Sequence, residues 1–216
     1  MLLSFFSSEP PLARRLGAQP LHAIHTFPDA TLGRIVGKAA HLAPDDDGSK
    51  PIAPFTGRPC AAWFVRISGG DSSRKGYTRV LEASAAVPFI VSDETGQAII
   101  HANVASLLLA FDVTETLGAF RTAPPRILRF LRKHEREGRR VPIDFRLSWQ
   151  EGIVAEGQRV AIVGRGRRET DPEATKGSYR RAATRLVMTG GGEGEELFVS
   201  TFAGSLGGRG TKAQGA

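Results

Sequence analysis

The sequence predicts a mainly β protein, an OB-like β-barrel elaborated with extra hairpins and with one helix around residues 124–138. Apolar runs between residues 32 and 202 are short and are separated by turn-forming residues, which is typical of strands joined by hairpins. Apolar and polar side chains alternate over residues 141–149, and this period of two indicates a strand with one buried face. The order of strands, one helix and further strands favours the OB-type succession, with a β-barrel or sandwich of another topology as the alternative.

Two hairpins are predicted before the helix. Glycines and short polar residues over 69–76 suit the loop of the first hairpin. In the second, Asp93-Glu94-Thr95-Gly96 forms the turn, where Gly96 can adopt the positive φ that a tight turn requires. The paired strands are residues 61–68 with 77–83 and residues 89–91 with 98–100.

The single helix is predicted from its capping residues and its apolar spacing. Pro124 and Pro125 suit a first helical turn, and Gly138 suits the stop. The opposite face of this helix is basic. The apolar residues at helical spacing are Ile127, Leu128 and Leu131.

The remaining strands are predicted after the helix. One strand covers residues 160–163, and a last hairpin pairs residues 184–188 with 197–202. The glycine-rich run 190–194 forms its turn. A phosphate-binding loop is disfavoured there because the run leads into glutamates and a strand, rather than into a helix with a lysine.

The domain organisation is predicted from composition. Residues 1–20 mix Ser, Pro and Arg without period and are expected to be a flexible segment. Residues 21–203 are expected to form a single β-rich domain. Residues 204–216 are rich in Gly and polar side chains and are expected to be a disordered tail.

Charge and cysteine content limit the classes of function. The formal net charge of +7 and the pI near 10.2 favour a polyanionic partner, either nucleic acid or an acidic membrane surface, or else a solvated arginine-rich surface. Cys60 is the only cysteine, so neither an intramolecular disulfide nor a multi-cysteine zinc site can form. No transmembrane segment is expected, and a single cysteine favours a reducing compartment, so the predicted location is the cytoplasm, with a peripheral membrane position as a variant of it.

Four segments, through their order and spacing, form a pattern over most of residues 32–202. They are Gly33-Arg34-Ile35-Val36-Gly37, Ala53-Pro54-Phe55-Thr56-Gly57-Arg58-Pro59-Cys60 with Trp63-Phe64, the turn at Asp93-Glu94-Thr95-Gly96, and Glu151-Gly152-Ile153 with Gly157, Val160, Ile162 and Gly164. This pattern resembles the GIDE family, which includes membrane-bound ubiquitin ligases, whose corresponding region is the Beside-A-Membrane domain, and many bacterial relatives. The bacterial relatives imply that the expected cytoplasm is a bacterial one.

The resemblance implies a sensing or interaction domain and names no ligand. The ligases of this family end in a RING domain, which requires paired zinc sites, and neither Cys nor His follows Phe202 here. A catalytic role in ubiquitin transfer is therefore the least favoured of three hypotheses. The preferred hypothesis is a non-catalytic module that recognises a protein or a small ligand without a cofactor, and the second is an OB-type protein that binds single-stranded nucleic acid.

Six residues are the candidates for ligand binding. Arg58 and Asp93 lie in segments that carry the resemblance, and Tyr179 is the best placed aromatic side chain for stacking. Arg165, Arg167 and Arg168 belong to a second basic group, with Arg159, Arg180 and Arg181, that is ranked above the basic face of the helix. The helix and the residues after it contribute the first group: Arg126, Arg129, Arg132, Lys133, Arg136, Arg139 and Arg140.

The histidines and the cysteine do not indicate a catalytic or metal site. His22 and His25 lack a third ligand nearby, so packing or surface positions are favoured. Cys60 follows Arg58 and Pro59 and would be a redox thiol if the arginine lowered its pKa. Burial as a small apolar residue is the favoured interpretation.

Overall fold

The structure is a computed structural model, and it describes residues 10–42, 51–70, 78–118, 122–136, 146–170, 184–190 and 196–207. These ranges contain two β-sheets, two α-helices and two short 3₁₀ turns, Ile24–Thr26 and Ala102–Val104. The helices and strands in chain order are α1 (Pro11–Gly17), β1 (Leu32–His41), β2 (Ala62–Gly70), β3 (Thr78–Ala86), β4 (Phe89–Ser92), β5 (Gln97–Ile100), β6 (Ser106–Leu108), β7 (Val113–Leu117), α2 (Pro125–Arg136), β8 (Arg146–Val154), β9 (Arg159–Thr170), β10 (Thr184–Met188) and β11 (Phe198–Ser200).

Five strands of the larger sheet close into a barrel. They follow the order β1-β4-β5-β10-β9, and β9 pairs with β1 to complete the circle. The β1–β9 ladder is antiparallel and runs from Leu32 opposite Arg165 to Lys38 opposite Arg159. β11 and β6 extend this sheet beyond β9. This closure confirms the predicted mainly β, OB-like barrel class.

Apolar side chains from all five barrel strands fill the interior. The largest fully buried side chains that these five strands contribute to the core are Ile35, Phe89, Ile100, Ile162 and Leu186. Removing one such side chain from water contributes about 1.5–3 kcal/mol to the free energy of folding, so the barrel core is a major source of stability.

The long strand β9 corrects one predicted hairpin. Residues 166–170 of β9 pair with β10, and residues 161–163 pair with β11, so these two short strands lie one after the other along β9. The predicted pairing of 184–188 with 197–202 is therefore wrong. A 12-residue strand offers enough backbone for both partners, and each short strand gains a parallel neighbour, β5 for β10 and β6 for β11.

The smaller sheet has the order β3-β2-β8-β7, and α2 packs on one of its faces. The predicted hairpins β2–β3 and β4–β5 are confirmed. The alternation along β8 is confirmed where the chain is described, because Leu147 and Trp149 are buried under α2 while Ser148 is partly exposed. Its earlier positions, Val141, Ile143 and Phe145, lie outside the described residues.

The predicted helix is confirmed as α2, which buries Ile127 and Leu131 against the smaller sheet. Its predicted stop at Gly138 lies outside the described residues. Among the helices that the structure describes, none combines the length and the apolar character needed to cross a bilayer.

Parts of both chain ends, residues 10–20 and 204–207, belong to the described structure. Residues 11–17 form α1, because Ala13 and Leu16 give it a small apolar face that is buried. Near the other end, Ser205 is fully buried and its carbonyl oxygen accepts a hydrogen bond from Arg34 Nη1 at 2.5 Å. Residues 1–9 and 208–216 lie outside the described ranges.

Candidate functional site

Two of the segments that carry the family resemblance contact each other through Glu151. This carboxylate is fully buried, and its two oxygens accept hydrogen bonds from the backbone N–H groups of Phe55 at 2.6 Å and Thr56 at 3.0 Å. Such bonds satisfy a buried charge that would otherwise be costly. Glu151 therefore anchors the loop 53–60 onto β8.

Cys60 lies at the end of the same loop and is not a reactive thiol. It is fully buried beside Ala53 and Ile153. Burial and then the negative charge of Glu151 raise the pKa of Cys60 to about 11, although Arg58 acts in the opposite direction. The thiol is therefore protonated at neutral pH, as expected for a packing residue.

Arg58 is exposed, and its described hydrogen bonds involve only its backbone. Its carbonyl oxygen accepts a hydrogen bond from Ala53 N at 2.9 Å, within a turn in which Gly57 has a φ of 72°. That positive φ suits glycine, which has no Cβ to clash with the backbone. The loop thus positions Arg58 on the surface and does not bring it to the other candidates by any described contact.

Asp93 builds its turn by accepting hydrogen bonds rather than through a glycine at positive φ. Its Oδ1 accepts from the backbone N–H groups of Thr95 at 2.7 Å and Gly96 at 3.0 Å, and Gly96 is not among the glycines at positive φ. Its Oδ2 accepts from Ile24 N at 2.9 Å. Burial raises the pKa of Asp93, but the bonds from Thr95, Ile24 and Gly96 together hold it below its usual value.

Arg165 and Arg168 bind backbone oxygens of the segment before β1. Arg165 Nη1 donates to Ala30 O at 2.7 Å, and Arg168 Nη2 donates to Ile24 O at 2.6 Å. Asp93 and Arg168 therefore both bind the 3₁₀ turn Ile24–Thr26, Asp93 through the N–H of Ile24 and Arg168 through the carbonyl oxygen of Ile24. In these contacts the two side chains fix the position of the segment before β1. Arg167 is exposed, whereas Tyr179, Arg180 and Arg181 lie outside the described residues.

The histidines are dispersed over the described structure. His22 packs its ring edge-on against Phe27 with the centroids 5.2 Å apart, and His134 packs against Phe130 at 4.4 Å. His41 lies 3.9 Å from a carboxylate oxygen of Glu156. Within the described ranges, no three His, Cys, Asp or Glu side chains are grouped so that they could hold a metal ion.

The clearest cation–aromatic cluster is formed by Arg66 on the smaller sheet, on the face opposite α2. Its guanidinium lies 5.7 Å from the ring centroid of Phe64 and 5.3 Å from that of Phe111. The same group pairs with Glu82 at 2.7 Å. Because these partners already engage Arg66, the cluster stabilises the sheet surface.

The most distinct cationic surface lies on α2. Ile127 and Leu131 are buried against the smaller sheet. Because side chains three or four positions apart share one face of a helix, the cations of 126–133 lie together on the opposite face and are exposed to solvent. Arg126 also contacts Glu115 of β7, with Nη2 3.6 Å from Oε1. The exposed cations of this face are Arg126, Arg129, Arg132 and Lys133.

A groove of about 770 Å³ runs along this helix, which we call the α2 groove. Of the described residues that line it, three are cations and none is acidic, while Ala123, Pro124 and Leu128 supply apolar surface. These described lining residues are Thr122, Ala123, Pro124, Pro125, Leu128, Arg129, Arg132 and Lys133. Such a groove can attract and hold a negatively charged ligand.

A second groove, of about 620 Å³, lies on the barrel wall between β1, β9 and the Asp93 turn. Its charges are mixed, because Lys38 and Arg159 face a lining that also contains Asp93 and Glu94. Asp93 is already engaged in its turn. This groove therefore offers weaker charge selectivity than the α2 groove.

The described contacts distinguish the two basic groups of the sequence. Arg165 and Arg168 of the preferred group bind backbone oxygens, whereas the helical cations are exposed along a groove. The helical period of the sequence already indicated the cationic surface of α2, since the cations of 126–133 occupy one face of the helix and the apolar residues the other. What the helical period could not show was the groove, in which residues 122–124 before α2 and residues of α2 line one space.

Comparisons of the chain with models of protein families, with curated proteins and with solved structures find no match.

Proposed function

We propose that the protein is a non-catalytic, GIDE-like binding module that recognises a negatively charged protein or small ligand through the α2 groove. The observation that carries the proposal is the combination of volume and charge in this groove. Its volume of about 770 Å³ lies within the range of ligand sites, and Arg129, Arg132 and Lys133 line it with no acidic side chain among the described lining residues.

The roles of the buried polar groups support a binding function over a catalytic one. The thiol of Cys60 is buried, with a pKa of about 11. The carboxylate of Glu151 has both oxygens on backbone N–H groups. A nucleophile or general base needs a free, accessible atom, and these two groups lack one.

Binding of single-stranded nucleic acid is the second candidate function. It is favoured by the closed five-stranded barrel, an architecture that often binds single strands, and by the net charge of +7. Against it, Arg165 and Arg168 bind the backbone of the segment before β1. The α2 groove would then be the phosphate-binding surface.

The test reverses charge in the groove and at a matched distant site. Arg129→Glu/Arg132→Glu changes two exposed helical arginines of α2, and Arg14→Glu/Arg15→Glu makes the same charge change on α1. Three labelled probes are titrated at near-physiological salt: an acidic peptide, an oligothymidylate of about 20 nucleotides and vesicles containing phosphatidylglycerol.

We expect the acidic peptide to bind the parent protein and to lose about ten-fold or more in affinity with the groove variant only, whereas groove-dependent binding of the oligothymidylate alone would favour the second candidate function. Binding by none of the probes would contradict the proposed function. Equal weakening by both variants would do so as well, because it would assign the effect to net charge rather than to the groove.

A further inference from the structure

The α2 groove combines two kinds of surface that a simple polyanion would not use together. Ala123 is almost fully buried, and Pro124 and Leu128 are half-buried, so they form an apolar floor. Arg129, Arg132 and Lys133 are exposed at its rim. A ligand that fills this groove should therefore carry apolar groups beside its negative charges.

We infer that the occupant is an acidic peptide segment of a partner protein, in which apolar residues alternate with Glu or Asp. This inference rests on the proposed function and names its ligand. In an extended peptide, successive side chains point in opposite directions, so alternation places carboxylates along one edge and apolar groups along the other. The carboxylates meet the rim and the apolar groups meet the floor.

The spacing of the rim cations fits such a segment. Arg129 and Lys133 are four residues apart on α2, and Arg129 and Arg132 are three apart, so their Cβ atoms are about 5–6 Å from each other. Carboxylates two residues apart in an extended chain repeat at about 6.6 Å. Flexible arginine and lysine side chains accommodate the small difference.

Among the described residues that line the groove, a nucleic acid would find no stacking partner, because none of them is aromatic. The nearest helical ring, Phe130, packs inward, with its centroid 5.2 Å from that of Phe55 and 6.3 Å from that of Trp63. Each stacked base would contribute about 1–3 kcal/mol, and this contribution is missing here.

A bilayer is also a poorer fit. An amphipathic helix binds a membrane by inserting its apolar face, and the apolar face of α2 is buried against the smaller sheet through Ile127 and Leu131. Only the electrostatic attraction of the cations would remain. The apolar floor would then have no role.

The experiment uses the full chain and two labelled peptides of about ten residues, one alternating Glu and Leu and one alternating Glu and Ser. They carry equal charge and differ only in apolar groups. We expect the parent to bind the Glu-Leu peptide about ten-fold or more tightly than the Glu-Ser peptide, because burying leucine on the floor strengthens binding. Arg129→Glu/Arg132→Glu should abolish this binding, and Arg14→Glu/Arg15→Glu should preserve it.

The outcomes separate this inference from the proposed function. Equal affinity for the two peptides would overturn the inference, since charge alone would explain binding. Groove-dependent binding of oligothymidylate or phosphatidylglycerol vesicles, without peptide binding, would overturn both, and in the case of oligothymidylate it would favour the second candidate function, whereas equal groove-dependent affinity for the two peptides would leave the proposed function intact. Binding of no probe would overturn both. The variant Leu128→Ser removes an apolar side chain from the floor of the groove and tests whether that side chain causes the preference for the Glu-Leu peptide. This variant should bind the two peptides equally, while its circular dichroism spectrum remains that of the parent.

Discussion

Substitution of the buried carboxylate by its neutral isostere, Glu151→Gln, should destabilise the protein. Glu151 accepts two backbone hydrogen bonds, from Phe55 N at 2.6 Å and from Thr56 N at 3.0 Å, and its side chain is inaccessible to water. A glutamine offers one carbonyl oxygen and one amide group. Only one of the two N–H groups can keep an acceptor, and the other faces the donor NH₂.

The expected loss follows from these two bonds. A hydrogen bond to a charged acceptor contributes about 1.5–3 kcal/mol, and a buried donor without a partner costs about 1–3 kcal/mol. Glutamine removes the cost of burying a charge, which offsets part of this loss. We expect a net destabilisation of about 2 kcal/mol, which lowers the Tm by about 4–8 °C for a chain of this size.

Thermal and denaturant unfolding of Glu151→Gln and of an exposed control, Glu94→Gln, measure the effect. The loop 53–60 should loosen as well, so Cys60 should react faster with a thiol reagent in Glu151→Gln than in the parent. A variant as stable as the parent, with Cys60 equally protected, would show that the charge is not what holds this loop. The control should change stability by less than about 0.5 kcal/mol.

Two further predictions concern the turn at Asp93 and the chain end. The folded-state pKa of Asp93 lies below its usual value, so its stabilising contribution is present above about pH 4 and is lost as the pH falls through the folded pKa. The Tm difference between the parent and Asp93→Asn should therefore shrink between about pH 5 and pH 3, and a constant difference would contradict this assignment. Ending the chain after Gly207 should leave stability within about 0.5 kcal/mol, whereas ending it after Ala203 should cost about 2 kcal/mol, because Arg34 loses the buried carbonyl of Ser205. Equal melting of the two truncated forms would refute that role of Ser205.

The local patterns along the chain determined much of the fold. The period of two predicted the buried positions Leu147 and Trp149, and the helical period predicted that Ile127 and Leu131 face a core. These patterns can be predicted because the backbone itself sets which side chains share a face. The hairpins β2–β3 and β4–β5 could be predicted for a similar reason, since their strands are close in sequence.

Pairings between distant strands were decided only in three dimensions. Nothing in residues 184–188 or 197–202 records that both pair with β9, because the choice depends on the length of β9 and on which neighbours complete the barrel. The burial of Ser205 also depends on a distant segment. Ser205 is polar and follows a glycine, yet it is fully buried, and its carbonyl oxygen accepts a hydrogen bond from Arg34.

The candidate site was also determined partly by the sequence and partly by the tertiary structure. The sequence by itself determined which segments carry positive charge, namely one face of the helix and a second group of arginines. The tertiary structure decided which cations are available, because Arg165 and Arg168 meet carbonyl oxygens of residues 24–30, more than a hundred positions away in the chain, whereas Arg129 and Arg132 meet none in the described contacts. A hydrogen bond between distant segments leaves no local periodicity, so its consequence for a binding surface appears only once the chain has folded.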